Sequence, residues 1–288
     1  MTGINRSHPA AAFIFFCRAV FFSMVFMHPV LVCINLVCSF LCCAIIAGKE
    51  LSMMFRYYLF MGLLLIVLNP IVNTNGVTVL FRYFGRKFTL EGLVYGVVLA
   101  GLMISCINWF TCMGKVITTE KFSYLFSRRF PALCTVFTMT IGMIPFIQSK
   151  LADIAWVRQC LHDSKSSGLS GAARDMGAAV NYAFEKAVNI SRTMKNRGFA
   201  STEPTRLTRY SLSGSDFFLL AVTAAGVTAT FSSVYSGGIS VTIVPRISFH
   251  TFEGFELVCL VIYVLFLLVP VIMWFAEELR WKYLRSKI

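Results

Sequence analysis

Residues 13–47 read FIFFCRAVFFSMVFMHPVLVCINLVCSFLCCAIIA, and this stretch decides the class of the protein. It is almost continuously apolar, and its one charged residue is Arg18. A helix needs about 20 apolar residues to cross a bilayer, so the run is too long for one ordinary span. His28-Pro29 divides it. Proline removes a backbone donor and turns the residue before it away from helical angles. Two short spans satisfy the pattern, as does one span with a tilted partner. Arg6 and Arg18 are not followed by a clean cleavage site before the next apolar run, so the segment is expected to be retained.

The rest of the chain agrees with that opening. Of 288 residues, 57% belong to the hydrophobic set and only 14% are charged, with a mean hydropathy of +0.74. Soluble domains carry roughly a quarter charged residues, so a chain this apolar is expected in a bilayer, where outer faces need no polar cover. The net charge of +13 comes from 26 Lys and Arg against 13 Asp and Glu. Beside long apolar runs this reads as basic loops against anionic lipid rather than as a nucleic-acid surface. The 10 cysteines sit mostly in or beside apolar runs and form no zinc pattern. They read as small packing residues. His8, His28, His162 and His250 show no ligand spacing, so no metal or cofactor is expected.

Further spans are expected over 57–72, 90–113, 217–235 and 255–275, with 130–147 a shorter run containing Pro131, Gly142 and Pro145. Asn69-Pro70 closes the first of these. Residues 73–87 read as a loop, with turns at Asn75-Gly76 and Gly85. Gly92, Gly96 and Gly101 permit close helix approach. Glu91 and Asp216 each stand at the start of a span, where a negative charge complements the helix dipole.

The character changes over 148–215, which holds ten Lys or Arg and five Asp or Glu. Residues 150–162 read as one helix and 172–197 as a longer one, stopped by Gly198, with a Ser- and Gly-rich loop over 164–170 between them. Val180, Ala183, Phe184, Ala187, Ile190 and Met194 recur at helical spacing as one apolar stripe, expected to pack inside this section. Glu185, Lys186, Asn189, Arg192 and Lys195 take the opposite side. Pro145 is expected to break the chain between the apolar run and the first polar helix. The expected division is 1–147, spanning helices; 148–215, a polar helical module; and 216–288, spanning helices with a basic tail. The fold class is an all-α integral membrane protein with about six spans, five to seven fitting the runs. With four crossings before Lys115 and none over 130–147, both the polar module and the tail fall on the cytoplasmic side. Arg82, Arg86 and Lys87 then lie outside, against the usual bias.

Several strings, taken together, resemble the transmembrane T component of energy-coupling factor transporters, the EcfT/CbiQ-like family. They are Asn69-Pro70 with Asn75-Gly76; Thr89-Leu90-Glu91-Gly92-Leu93 with Tyr95-Gly96; Thr118-Thr119-Glu120-Lys121-Phe122 with Tyr124-Leu125-Phe126 and Pro131; Ile144-Pro145; and Ala187 through Ser191, Met194, Asn196-Arg197-Gly198-Phe199 and Asp216. The likeness runs from about His8 to Asp216. It implies a multi-pass protein of the cell membrane with a cytoplasmic coupling module of two helices. Each helix would end in an Ala-Arg-Gly-like motif docked on an ABC-type ATPase subunit, the two ATPases being copies or paralogues. A small membrane protein that captures a vitamin or metal ion would be the other partner.

Residue by residue, the second motif falls on Asn196-Arg197-Gly198 and the first on Val157-Arg158-Gln159. Both arginines are kept, whereas the first glycine and both alanines are not. Glycine ends a helix and lets another backbone approach, so Gln159 would let the first helix run on. An arginine's fixed fork of donors suits a defined contact to carboxylates or carbonyls on a partner. Pro145, Phe184, Ala187, Ile190 and Met194 would pack the module.

Catalysis finds no footing in the sequence. It has no Gly-rich phosphate loop with its Lys-Ser/Thr, no carboxylate pair and no nucleophile beside a base. The expected function is therefore the non-catalytic coupling subunit of an ATP-driven uptake transporter. A self-contained secondary transporter, or a membrane scaffold that does not transport, are the alternatives. A carrier would usually show ionisable residues at mid-membrane, and here Arg18 is nearly alone.

Overall fold

The computed structural model describes residues 7–48, 50–73, 78–83, 86–127, 129–160, 169–199, 201, 210–235 and 254–286. They fall into two units: unit 1 takes in Met1–Thr118 and Tyr210–Ile288, and unit 2 is Thr119–Arg209.

Unit 1 opens with two helices that start in the same way. α1 (Pro9–Val25) and α2 (Pro29–Ala47) each begin at a proline whose missing N–H is not needed there. His8 and His28 precede them. The His8 Nδ1 accepts from the Ala10 N–H at 3.2 Å, and the His28 Nδ1 accepts from the Val30 N–H at 3.3 Å. Each His-Pro pair is thus a stop and a start, and the long apolar run becomes two helices as expected. α3 (Glu50–Val72) follows. Strands β1 (Val79–Tyr83) and β2 (Arg86–Thr89) pair antiparallel. α4 (Leu90–Val116), α8 (Gly214–Tyr235) and α9 (Gly254–Arg285) complete the unit.

Aromatic rings and small residues hold unit 1. Phe15, Phe16, Trp109 and Phe266 are fully buried, with Phe15 centred 6.1 Å from Trp109 and 5.0 Å from Phe266. Lipid tails are as apolar as leucine, so contact density and polar cross-links between helices decide which neighbours stay together. One such string runs through the interior. Trp109 Nε1 donates to Asn35 Oδ1 at 2.8 Å, and Asn35 Nδ2 donates to Ser23 Oγ at 2.7 Å. A level away, Asn108 Nδ2 donates to Ser39 Oγ at 3.2 Å.

The glycines of α4 act as close-contact points. A Cβ on Gly96 would stand 3.2 Å from the Ile66 Cα and 3.2 Å from the Asn69 Cβ of α3. At Gly101 it would meet Val32 Cγ1 of α2 at 3.0 Å. Asn69 Nδ2 donates to the Gly92 carbonyl at 2.9 Å, tying α3 to the first turn of α4. Glu91 Oε1 accepts from the Thr78 N–H at 3.1 Å, so this carboxylate anchors the chain entering β1 as well as serving the start of α4. Asp216 does the equivalent for α8. Its Oδ2 accepts from the Ser213 N–H at 2.9 Å, and its Oδ1 accepts from the His8 N–H at 2.8 Å.

Arg18 is the one cation in the interior of unit 1 among the described residues. It is 7% exposed, and its guanidinium carbon lies 4.8 Å from the Phe22 ring centre and 4.4 Å from that of Phe266. Gly226 leaves the room: a Cβ there would sit 3.0 Å from Nη2. The two ring faces offer the charge a cation–π environment in place of water.

Unit 2 contains α5 (Thr119–Phe126), α6 (Pro131–Cys160) and α7 (Leu169–Asn196). The Phe122 ring centre lies 5.5 Å from that of Phe137, joining α5 to α6. Lys121 is buried, and loss of solvent pulls its ammonium below the ordinary value.

Six described helices are long and apolar enough to cross a membrane: α2, α3, α4, α6, α8 and α9. The chain is a multi-pass membrane protein on that ground. Six was the expected number, but the six are differently chosen. α1 has 17 residues and falls short, whereas α6 qualifies by length.

Two expectations need correction. Residues 79–83 and 86–89 are paired antiparallel strands rather than plain loop, and aromatic residues such as Phe81, Tyr83 and Phe88 suit strands. The turns expected at Asn75-Gly76 and Gly85 lie outside the described residues. Pro145 does not break the chain: α6 runs through it. A proline removes one donor from the ladder, and the turns on either side remain whole. α9 carries the basic tail as helix to Arg285, so span and tail are one rod. The Lys186 Nζ lies 5.2 Å from the centre of the Phe146 ring. The helix end expected at His162 and the loop over 164–168 lie outside the described residues.

Candidate functional site

The expected site residues all fall on α6, α7 and the turn after α7. These two helices run antiparallel. Arg158 of α6 meets Asp175 of α7, Phe146 stacks with Tyr182 at 5.8 Å, and Met139 and Met143 line a groove with Ile190 and Met194. Contacts therefore continue from one end of the pair to the other.

The seam follows the sequence. Gly171, Asp175, Ala179, Tyr182, Ala183, Lys186, Ile190 and Met194 are the described buried or half-buried positions of α7, most of them at steps of three and four. This is the face an α-helix offers to a neighbour. It lies about 100° round the helix from the stripe expected through Val180 and Phe184. Ile190 and Met194 are half-buried, and Ala187, exposed, lines the groove. Phe184 is 69% exposed, which corrects its expected place inside the module. The Arg158–Asp175 pair sets the rotation of α7, and a stripe wider than the seam leaves its far edge uncovered.

Arg158 and Arg197 have different surroundings. Arg158 is half-buried. Its Nε donates to Asp175 Oδ1 at 2.9 Å and its Nη2 to Asp175 Oδ2 at 2.9 Å, a two-point fork on a carboxylate. Its neighbours Val157 and Gln159 are exposed, and the described part of α6 runs to Cys160. Replacing Asp175 by alanine removes both acceptors of this fork. The expected loss is roughly 1.5–3 kcal/mol, the worth of hydrogen bonds to charged groups. Faster amide exchange over the first turns of α7, with exchange in unit 1 unchanged, is the measurement that checks it.

Arg197 stands at a fixed helix end. Gly198 has φ 76°, a left-handed conformation that suits glycine. The Gly198 N–H donates to the Lys195 carbonyl at 3.0 Å, and the Phe199 N–H to the Met194 carbonyl at 3.0 Å. That pair of bonds is the Schellman closure, here with Phe199 and Met194 sharing one groove wall. Asn196-Arg197-Gly198 thus ends α7 as the glycine implied, and Arg197 is exposed on the cap itself. The groove measures about 760 Å³. Its walls are mainly Met139, Met143, Ile190, Met194 and Phe199, with Lys195 and Arg197 at one edge.

Sequence reasoning missed Asp175. A carboxylate on a helix otherwise rich in cations and small residues was the available signal, but its partner is 17 residues away on another helix. No group of His, Cys, Asp or Glu among the described residues is arranged to hold a metal ion. No protein-family model matches the chain, and comparison with curated proteins gives no match.

Proposed function

We propose that the chain is the membrane coupling subunit of an ATP-driven uptake transporter, and that the capped end of α7 is where a cytoplasmic ABC-type ATPase subunit docks. The observation that carries this reading is the Schellman-closed terminus presenting Arg197 on a helix braced along its length by α6. A joint that transmits force needs a defined contact on a stiff support. A glycine-closed helix end supplies the first, and an ion pair with stacked rings supplies the second.

In this reading the two arginines divide the work. Arg197 engages the ATPase, and Arg158 braces α7 through Asp175 instead of forming a second, equivalent docking end. Unit 2 faces the cytoplasm and the chain resides in the cell membrane. A small membrane protein captures the cargo, a vitamin or metal ion, and is moved when the ATPases close. The chain itself binds no cofactor and performs no bond chemistry.

The test is a pull-down of the tagged full-length protein in mild detergent. ATPase subunits are expected to co-purify and to be lost with Arg197→Glu. The loss should be at least tenfold, since a central interface arginine contributes about 2 kcal/mol or more. Arg192→Glu, a like change of charge on the same helix, should retain them. Recovery of no ATPase from the folded, unmutated protein would rule the reading out.

A further inference from the structure

We infer that the α6–α7 pair lies in the interface of an anionic bilayer, with its uncovered apolar face on the lipid, and that α6 does not cross the membrane. This inference is independent of any ATPase contact.

The register of the pair excludes an ordinary crossing. The last turns of α7 lie beside Met139 and Met143. The part of α6 clear of α7 is therefore residues 131–138, about 12 Å at the helical rise. The hydrocarbon core is about 30 Å thick. If α6 crossed, the end of α7 would be carried to mid-depth with Arg192, Lys195 and Arg197, all exposed. Charges at that depth are strongly disfavoured and turn inward or pair. The apolar length of α6 is real, but α7 runs beside most of it.

The pair nonetheless has too much apolar surface for water. On α7, Met176, Val180, Phe184 and Val188 recur every fourth residue and are 63%, 48%, 69% and 52% exposed. They form a single line one residue round from the seam. An exposed apolar line of this kind marks an interaction surface. On α6, Trp156 is also exposed, at 67%. The line on α7 continues at the same spacing into Arg192, and Lys195 follows one turn on. Their long stems can follow the apolar surface while the charged heads reach phosphates. Apart from Asp175, which is held by Arg158, the described acid on α7 is Glu185, against Arg174, Lys186, Arg192 and Lys195. A helix with one apolar line, a cationic remainder and a tryptophan on its neighbour has the chemistry of an interfacial element on anionic lipid.

The test uses the full-length protein in nanodiscs of phosphatidylcholine, with and without phosphatidylglycerol. A benzophenone amino acid replaces Phe184, an exposed aromatic whose exchange for another leaves the fold intact. The same group at Glu185 is the control. After irradiation, lipid adducts are expected at 184, several-fold above those at 185, and more with phosphatidylglycerol present. In sealed vesicles of the same lipids, an impermeant maleimide should reach Cys160 and a cysteine placed at Phe130 from the same side. The inference is overturned by labelling of those two positions from opposite sides. It is equally overturned if position 184, irradiated in native membranes, links to a protein rather than to lipid, or if 184 and 185 give equal yields.

Discussion

Replacing Trp109 with alanine is expected to lower the stability of the solubilised protein by about 3–5 kcal/mol, the range for removing a large buried aromatic. Trp109 is fully buried between Phe15 and Phe16, so the cavity cannot be reached by lipid or detergent. The substitution also takes the donor from Asn35 Oδ1, which remains in an apolar interior where an unmet acceptor is costly. Trp109→Phe should recover most of the packing and none of the hydrogen bond, falling between the two. Trp281→Ala, on an exposed part of α9, should leave the unfolding midpoint unchanged. Equal midpoints for Trp109→Ala and the parent protein would mean that the interior of unit 1 is not packed around this ring.

Gly96→Leu is the second large effect, and it acts by excess instead of loss. The first added carbon alone would stand 3.2 Å from the Ile66 Cα and 3.3 Å from the Ile66 carbonyl oxygen. Those are backbone atoms in the middle of α3, and no rotamer change moves them aside. Overpacking typically costs about 1–3 kcal/mol, and more where the obstruction is main chain. The helices have to part, and the 2.9 Å bond from Asn69 Nδ2 to the Gly92 carbonyl goes with them. Gly114→Leu is the control on the same helix, since nothing lies within 4 Å of a Cβ there. The check is the thermal midpoint in detergent for the two variants side by side. A Gly96→Leu protein as stable as Gly114→Leu would refute the close approach of α3 and α4.

The helices were legible because their signals are local. A run of apolar residues, a His-Pro pair or a glycine before an aromatic acts within a turn or two, and α1, α2 and the stop after α7 followed from those alone. What was not legible depends on rotation and on distance in the chain. The width of the α7 stripe allowed two seams about 100° apart, and Asp175, whose partner lies on another helix, selects between them. The polar string through Ser23, Asn35 and Trp109 was hidden because each residue by itself reads as an ordinary guest in an apolar run. Pro145 misled because a break is the commoner consequence of proline, and nothing local in the sequence shows when the ladder continues past it.

The Arg18 cage also sets an order of assembly. Phe22 is four residues from Arg18 and is present as soon as α1 forms, whereas Phe266 and Gly226 belong to helices synthesised after the whole of unit 2. The tie from the His8 N–H to Asp216 spans 208 positions and closes on the same late schedule. α1 is thus made well before the helices that seal it. Until α8 and α9 arrive, its cation lacks the Phe266 ring and has only the Phe22 face of its own helix. Unit 2 is joined largely by neighbours in sequence and can complete itself during that interval, so it is finished before the unit that surrounds it in the chain.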